Sequence, residues 1–215
     1  MTRLALFDFD GTLSRGDSVV PFLLFAIRRG WAKRSLLPRS VHAWAKQLRN
    51  PGKVVSAKET SLSFLKGRTV EEADAFARDF LREKIAARLF PEGKKELERL
   101  KREGYVIVLV SASADAYMRL IPELLPVDAV LATECLTENG RYTGRIRANC
   151  RGEEKPRRIQ SWLEERNLQP DWENSRAYGD SASDAPMLRM VGHPVLVNPG
   201  KKLRELLPGA DAVGW

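Results

Sequence analysis

The stretch Leu4-Ala5-Leu6-Phe7-Asp8-Phe9-Asp10-Gly11-Thr12-Leu13 organises the reading of the whole chain. Leu4 to Phe7 is apolar at every position, the pattern of a parallel strand buried on both faces. The run ends in two carboxylates one residue apart, then a glycine turn and a hydroxyl. Open α/β sheets take their ligands beyond the carboxyl ends of their strands. While the chain stays extended, Asp8 and Asp10 project on one side. Carboxylates held side by side repel and are costly to desolvate. A hard cation between them removes the conflict, and their oxygens suit Mg²⁺. A strand end with an Asp-Gly turn needs no chemistry by itself. The other strand ends therefore decide the matter.

The chain has 215 residues, 43% hydrophobic and 30% charged, enough for one core with a smaller cap. Its net charge of +8 is confined to one segment. Ser18 to Lys58 contains no Asp or Glu but nine cations: Arg28, Arg29, Lys33, Arg34, Arg39, Lys46, Arg49, Lys53 and Lys58. The remainder holds 27 basic and 28 acidic residues. This segment predicts a positive face for anionic partners, either a lipid surface with Trp31 and Trp44 at the contact or a large anionic substrate. A solvated basic face is the plainer alternative. Nucleic acid is disfavoured, because no recognition motif accompanies the charge. Cys135 and Cys150 make neither a disulfide framework nor a metal-finger spacing, as expected of free thiols in a reducing compartment. Acids at positions 8 and 10 interrupt any apolar signal region, and the longest apolar run, Val19 to Ile27, is too short to span a bilayer. The expectation is a cytoplasmic protein, with peripheral contact at the inner membrane face if the lipid reading holds.

Along the chain, Val19 to Ile27 predicts a helix that breaks at Gly30, with a second around Val41 to Leu48 and a turn at Asn50-Pro51-Gly52. Ser61 to Leu65 and Val70 to Ile85 continue as helix, the latter entered through Thr69 as N-cap with Glu71 and Glu72 behind it. Residues 15–85 thus read as a helical insertion after the first strand, and 1–14 with 86–215 as the core. Lys94 to Glu103 is a helix stopped by Gly104, and Tyr105 to Val110 a second buried strand ending at Ser111. A serine there offers a hydroxyl to an anion, or simply caps the expected helix Asp115 to Leu125. Val127 to Thr133 is a third strand. Asn139-Gly140 turns a small hairpin between Cys135–Thr137 and Tyr142–Ile146. Lys155 stands before Pro156 at the start of the helix Arg157 to Arg166, where a point charge could meet an anion. Arg176 to Tyr178 is a fourth strand, running into Gly179-Asp180-Ser181-Ala182-Ser183-Asp184 and a helix to Met190. Pro194 to Val197 reads as the last strand, followed by a helix from Lys201 to Leu207. The pattern predicts an α/β fold, a Rossmann-like parallel sheet with helices on both faces. His42 and His193 support no Ser-His-Asp triad, and no P-loop is present.

Four strand ends carry Asp8/Asp10, Ser111, Lys155 and Asp180/Asp184, in that order. This resembles the four motifs of the haloacid dehalogenase superfamily over nearly the whole chain. Val110-Ser111-Ala112-Ser113, Tyr142-Thr143-Gly144-Arg145 and Gly152-Glu153-Glu154-Lys155 are similar to its subfamily IB, the phosphoserine phosphatase-like branch. The resemblance implies a Mg²⁺-dependent phosphomonoester hydrolase with Asp8 as nucleophile and Asp10 as acid and base. It implies Mg²⁺ on Asp8, the carbonyl of Asp10, Asp180 and Asp184. Phosphate would be held by Lys155, the Ser111 hydroxyl and nearby backbone N–H groups, here those of Ala112, Gly11 and Thr12. Asp17 falls near the position where phosphoserine phosphatases grip the substrate ammonium, shorter by one methylene. The implied partner is a small or lipid-derived phosphate ester, some members of the branch acting on phosphatidylglycerophosphate. Phosphoserine phosphatase proper is one alternative, and a non-catalytic binder of anionic surfaces on the same scaffold another.

Overall fold

The computed structural model describes residues 1–49 and 54–215. Six parallel strands form one sheet in the order β3-β2-β1-β6-β7-β8: β1 (Leu4–Phe7), β2 (Val106–Ala114), β3 (Ala129–Thr133), β6 (Arg176–Gly179), β7 (His193–Val197) and β8 (Asp211–Val213). An antiparallel hairpin, β4 (Cys135–Glu138) and β5 (Arg141–Ile146), stands apart from it. The first strand lies inside the sheet, pairing with β2 on one edge and β6 on the other. Its two-residue alternation feeds two cores. Ala5 and Phe7 pack on one face, Leu4 and Leu6 on the other, all fully buried. Helices cover both faces, as the sequence predicts.

Between β1 and β2 the chain runs through α1 (Val19–Arg28), α2 (Leu36–Arg49), α3 (Val54–Leu62) and α4 (Val70–Phe80), and then through α5 (Pro91–Arg102), which returns to the sheet. The expected Asn50-Pro51-Gly52 turn lies outside the described residues. Thr69 caps α4 in a reciprocal box with Glu72. Phe22, Phe64, Phe76 and Phe80 gather these helices into an aromatic cluster that reaches Tyr117 below. Residues 67–70 pair with the hairpin: Gly67 N donates to Tyr142 O at 2.8 Å, Tyr142 N to Arg68 O at 2.9 Å, and Val70 N to Gly140 O at 3.0 Å.

Several expectations are corrected. β2 continues past Val110 to Ala114 and bulges, since Val110 pairs with Leu131 and Ala114 with Thr133. Ser111 therefore sits in a bulge within the strand rather than beyond it. The helix expected over 115–125 stops early, as α6 (Asp115–Met118), because Pro122 has no N–H for the Met118 carbonyl. The helix bearing Lys155 is α7 (Glu154–Glu165), which begins ahead of the lysine. After Asp184 only the short α8 (Ala185–Leu188) follows, and beyond β7 and α9 (Lys201–Leu206) the chain adds β8, a three-residue strand too short to show in the pattern.

Trp31 and Trp44 are half-buried and each is engaged within the protein. Trp31 stacks on Phe76 with ring centroids 4.1 Å apart, under Arg68. Trp44 Nε1 donates to Ser61 Oγ at 3.1 Å. Among the described residues of that segment, the exposed large apolar side chains are Val20, Leu24 and Val41, at 45%, 46% and 62% exposure. No helix among the described residues is long and apolar enough to cross a membrane.

Candidate active site

At β1 the connections change direction, β2 and β3 lying to one side and β6, β7 and β8 to the other. Such a switch opens a crevice at the carboxyl ends of the strands. Asp8 lies at this end of β1, its N–H donating to Tyr178 O at 2.9 Å, and Asp180 follows directly on β6. A cavity of about 230 Å³ opens there. It brings together Asp8, Asp10, Asp17, Ser111, Ala112, Lys155, Asp180 and Asp184 from segments far apart in sequence.

Lys155 is the central cation, only 1% exposed. Its Nζ donates to Asp8 Oδ1 and to Asp184 Oδ1, each at 2.7 Å. Burial opposes its charge, yet the two carboxylates raise it above the usual lysine range. Burial raises Asp8 to about 8 against the pull of Lys155, with Asp184 adding to the rise. Burial acts on Asp184 too, but Lys155 and the Ser181 donors outweigh it and hold the carboxyl below its ordinary value. The difference has a plain cause: Asp184 Oδ2 also accepts from Ser181 N at 3.0 Å and Ser181 Oγ at 2.7 Å. Negative charge thus settles first on Asp184. Asp180 is raised to about 6 by burial and by Asp184.

Carboxylate oxygens of Asp8, Asp180 and Asp184 lie within 4.8 Å of one another. Five carboxylates line the cavity, Asp8, Asp10, Asp17, Asp180 and Asp184, against three cations, Lys58, Arg151 and Lys155, which leaves negative charge uncompensated. The donors are hard oxygens, so the set fits a divalent cation such as Mg²⁺. Gly11 makes room for the Asp180 carboxylate. At φ +88° it takes a conformation costly for other residues, and a Cβ there would lie 2.3 Å from Asp180 Oδ2.

Gly11 and Thr12 are corrected as phosphate donors. Their N–H groups are committed to Ser14 O and Phe9 O, and Thr12 Oγ1 donates to Asp180 Oδ1 at 3.4 Å. Both serve Asp180 rather than line the cavity. The Asp10 carboxylate stands outside the three-acid cluster. Its Oδ2 accepts from Ser18 Oγ at 3.0 Å and from Ser113 Oγ, and burial raises the group to about 7. Asp17 is exposed at the rim, its Oδ1 accepting from Val20 N at 3.0 Å. Ser111 is buried and its Oγ accepts from Ser113 N at 3.0 Å. The carbonyl of Ala112 accepts from Lys58 and from Thr133 Oγ1.

The sequence reading missed Lys58. It counted Lys58 with the basic face, whereas the residue is 3% exposed and turned into the cavity, with Nζ donating to Asn149 Oδ1 at 2.5 Å. Burial lowers it to about 8, against Asp17 and Asp10, which raise it. Asn149, Arg151 and Ser113 also line the cavity. Ser113 stands in the quoted Val110–Ser113 stretch, but no pattern marks Lys58 or Asn149.

A family model described as haloacid dehalogenase-like hydrolase matches residues 5–189. The chain is similar over its full length to a phosphoserine phosphatase of Mycobacterium tuberculosis, at 31% identity over 70% of that protein. A histidinol-phosphatase of Neisseria meningitidis is 28% identical, the match covering 100% of this chain and 97% of that protein. A solved structure of a protein of unknown function from Bordetella pertussis matches with a TM-score of 0.87 and 29% identity, covering 99% of both chains.

Proposed function

The chain belongs to the haloacid dehalogenase-like hydrolases and is a phosphatase, and on that premise we propose that it hydrolyses a small polar phosphate monoester through a phosphorylated Asp8, with Mg²⁺ as its metal. One observation carries this reading: the uncompensated carboxylates gathered with Lys155 at the switch point of the sheet. The ligands assigned to Mg²⁺ are Asp8, Asp180, Asp184 and the main-chain carbonyl of Asp10. Bound there, the ion would supply positive charge to the phosphoryl oxygens.

Asp8 attacks phosphorus in line, the phosphorus–oxygen bond to the alcohol breaks, and Asp10 gives the leaving oxygen a proton. A second attack, by water on the aspartyl-phosphate, frees phosphate while Asp10 takes the proton back. A carboxyl raised to about 7 suits both tasks near neutrality. Lys155 and the Ser111 hydroxyl meet the charge on the transferring group. Residues 15–85 are assigned as a cap, from which Asp17, Trp44 and Lys58 reach the cavity. At about 230 Å³ the cavity falls below the roughly 300–1,000 Å³ of drug-sized sites, which favours a small ester. Asp17 against Lys58 and Arg151 suits a leaving group carrying both charges, as in phosphorylated amino acids and amino alcohols.

The test is phosphate release from a panel of monoesters, with and without Mg²⁺, beside Asp8→Asn. Phosphoserine, histidinol phosphate, sugar phosphates and phosphatidylglycerophosphate belong in it. Turnover that needs Mg²⁺ and vanishes in Asp8→Asn is the expected result, and turnover surviving Asp8→Asn refutes the aspartyl-phosphate. A second reading, a lipid-derived ester met at an anionic bilayer, draws on exposed Val20, Leu24 and Val41 within the acid-free segment. Co-sedimentation with phosphatidylglycerol vesicles tests it, and a supernatant unchanged at low salt ends it.

A further inference from the structure

The sheet is covered unequally over β6, β7 and β8. The helices that join these strands, α8 and α9, bury Ala185, Met187, Leu188 and Leu203 on the side of Leu4 and Leu6. On the side of Phe7, α5 is seated by Leu97 and Leu100. Beside α5 a cavity of about 820 Å³ opens over Tyr178, Val213 and Trp215, and the last two are only half-buried. It shares no lining residue with the cavity around Asp8. Parallel sheets are ordinarily covered on both faces. The wall that α5 gives this groove carries Glu92, Lys95, Glu98 and Arg102, all exposed. They follow at intervals of three, three and four, which sets them along one side of the helix. Their signs alternate. Arg99 on the same helix pairs with Glu96 and Glu103, whereas none of these four has an ion-pair partner among the described residues.

This pattern is its own complement. Laid antiparallel against a copy of itself, about a two-fold axis at the level of Leu97, α5 sets Glu92 against Arg102 and Lys95 against Glu98, each pair occurring twice. A parallel copy would set every charge against its like. We propose that this side of α5, with the groove beside it, is an isologous interface for a second copy of the chain, α5 running antiparallel to its counterpart. A two-fold contact uses the same patch on both partners, as a self-complementary patch requires. Exposed ion pairs add little affinity, but they fix direction and register and turn away wrong partners. Affinity comes from excluding water from Val213 and Trp215 in the groove. No residue assigned to the chemistry lies in this patch, so association and turnover are separable.

The test is analytical ultracentrifugation of the full chain over a range of concentrations at low ionic strength. It compares the native protein with Lys95→Glu, with Glu98→Lys and with the variant carrying both. The native chain should reach the mass of two copies, and do so less readily in ~0.5 M salt, which screens such charges. Each single substitution sets like charges together at two places and should raise the Kd of the dimer about tenfold or more. The double variant exchanges the two signs and restores both contacts, so its Kd should return to within a small factor of the native value. Lys95→Glu mixed with Glu98→Lys should form a mixed dimer at concentrations where neither associates alone, because one then presents paired acids and the other paired cations. An unfolded variant could not do this, and thermal unfolding of each should match the native chain, since both positions are exposed. A dimer indifferent to the single substitutions, a double variant no better than either, or a mixture that stays monomeric overturns the proposal. So does a native chain that is monomeric throughout, in which case the groove serves a different protein or a small ligand.

Discussion

Replacing Lys155 by methionine tests the electrostatic account of the site most directly. The substitution keeps an unbranched side chain of similar volume, so the packing change alone should cost under about 1.5 kcal/mol. What disappears is the cation 2.7 Å from both Asp8 and Asp184. At an effective dielectric constant near 20, each contact represents roughly 6 kcal/mol of gross attraction, most of it offset by the desolvation of the charges. Leaving the carboxylates buried without their partner is expected to cost about 3–5 kcal/mol. For a chain of this size that is a fall of roughly 6–20 °C in Tm. The measurement is urea and thermal unfolding in EDTA and again in Mg²⁺. The divalent ion should restore part of the loss in the variant, because it supplies charge to the same oxygens. Activity should fall about 10²–10³-fold even with Mg²⁺ present, as for loss of one transition-state donor. A stability loss under about 1 kcal/mol in EDTA, or no recovery with Mg²⁺, would refute the reasoning.

Three further outcomes are expected. Gly11→Ala pushes a methyl group against Asp180, 2.3 Å away, so Mg²⁺ titration should show weakened binding and a drop in turnover while circular dichroism stays unchanged. Lys58→Met should raise KM for an anionic substrate with a smaller effect on kcat. In the native enzyme the same rise should develop with pH, since burial lowers Lys58 to about 8 against Asp17 and Asp10. The cation is present below about 8 and lost above it, and a KM profile flat from pH 6.5 to 9 would contradict this. Thr69→Ala removes the cap of α4 and should cost about 1 kcal/mol by urea unfolding, with KM unmoved.

How much was legible follows the physics of each element. β1 could be read because burial on both faces demands an unbroken apolar run, and the acids that end it cannot belong to that run. The Asn139-Gly140 hairpin could be read because its turn needs two positive φ angles, which these residues adopt at 49° and 71°. The docking of that hairpin on residues 67–70 left no trace, since main-chain pairing does not require particular side chains. The bulge in β2 was invisible for the same reason, and with it the inward aim of Ser113. Lys58 looked like one more surface cation because its burial depends on where α3 meets the bulge and Asn149. Gly11 and Thr12 read as phosphate donors from the motif, and only the fold reveals that Asp180, 168 residues after Thr12, is what they accommodate.

The interior position of β1 also sets a timetable for biosynthesis. Its neighbours begin at Val106 and Arg176, so the strand leaves the ribosome long before either edge can be paired. Asp8 cannot meet Lys155 or Asp184 until those residues have been made as well. At about 5–20 residues per second, the wait is of the order of ten to thirty seconds. Until β2 is made, both edges of this apolar segment stand open, and one stays open until β6 follows, a template for pairing with other chains. Fragments that stop short of Asp184 should therefore be inactive, and they should depend on holding chaperones to stay dispersed.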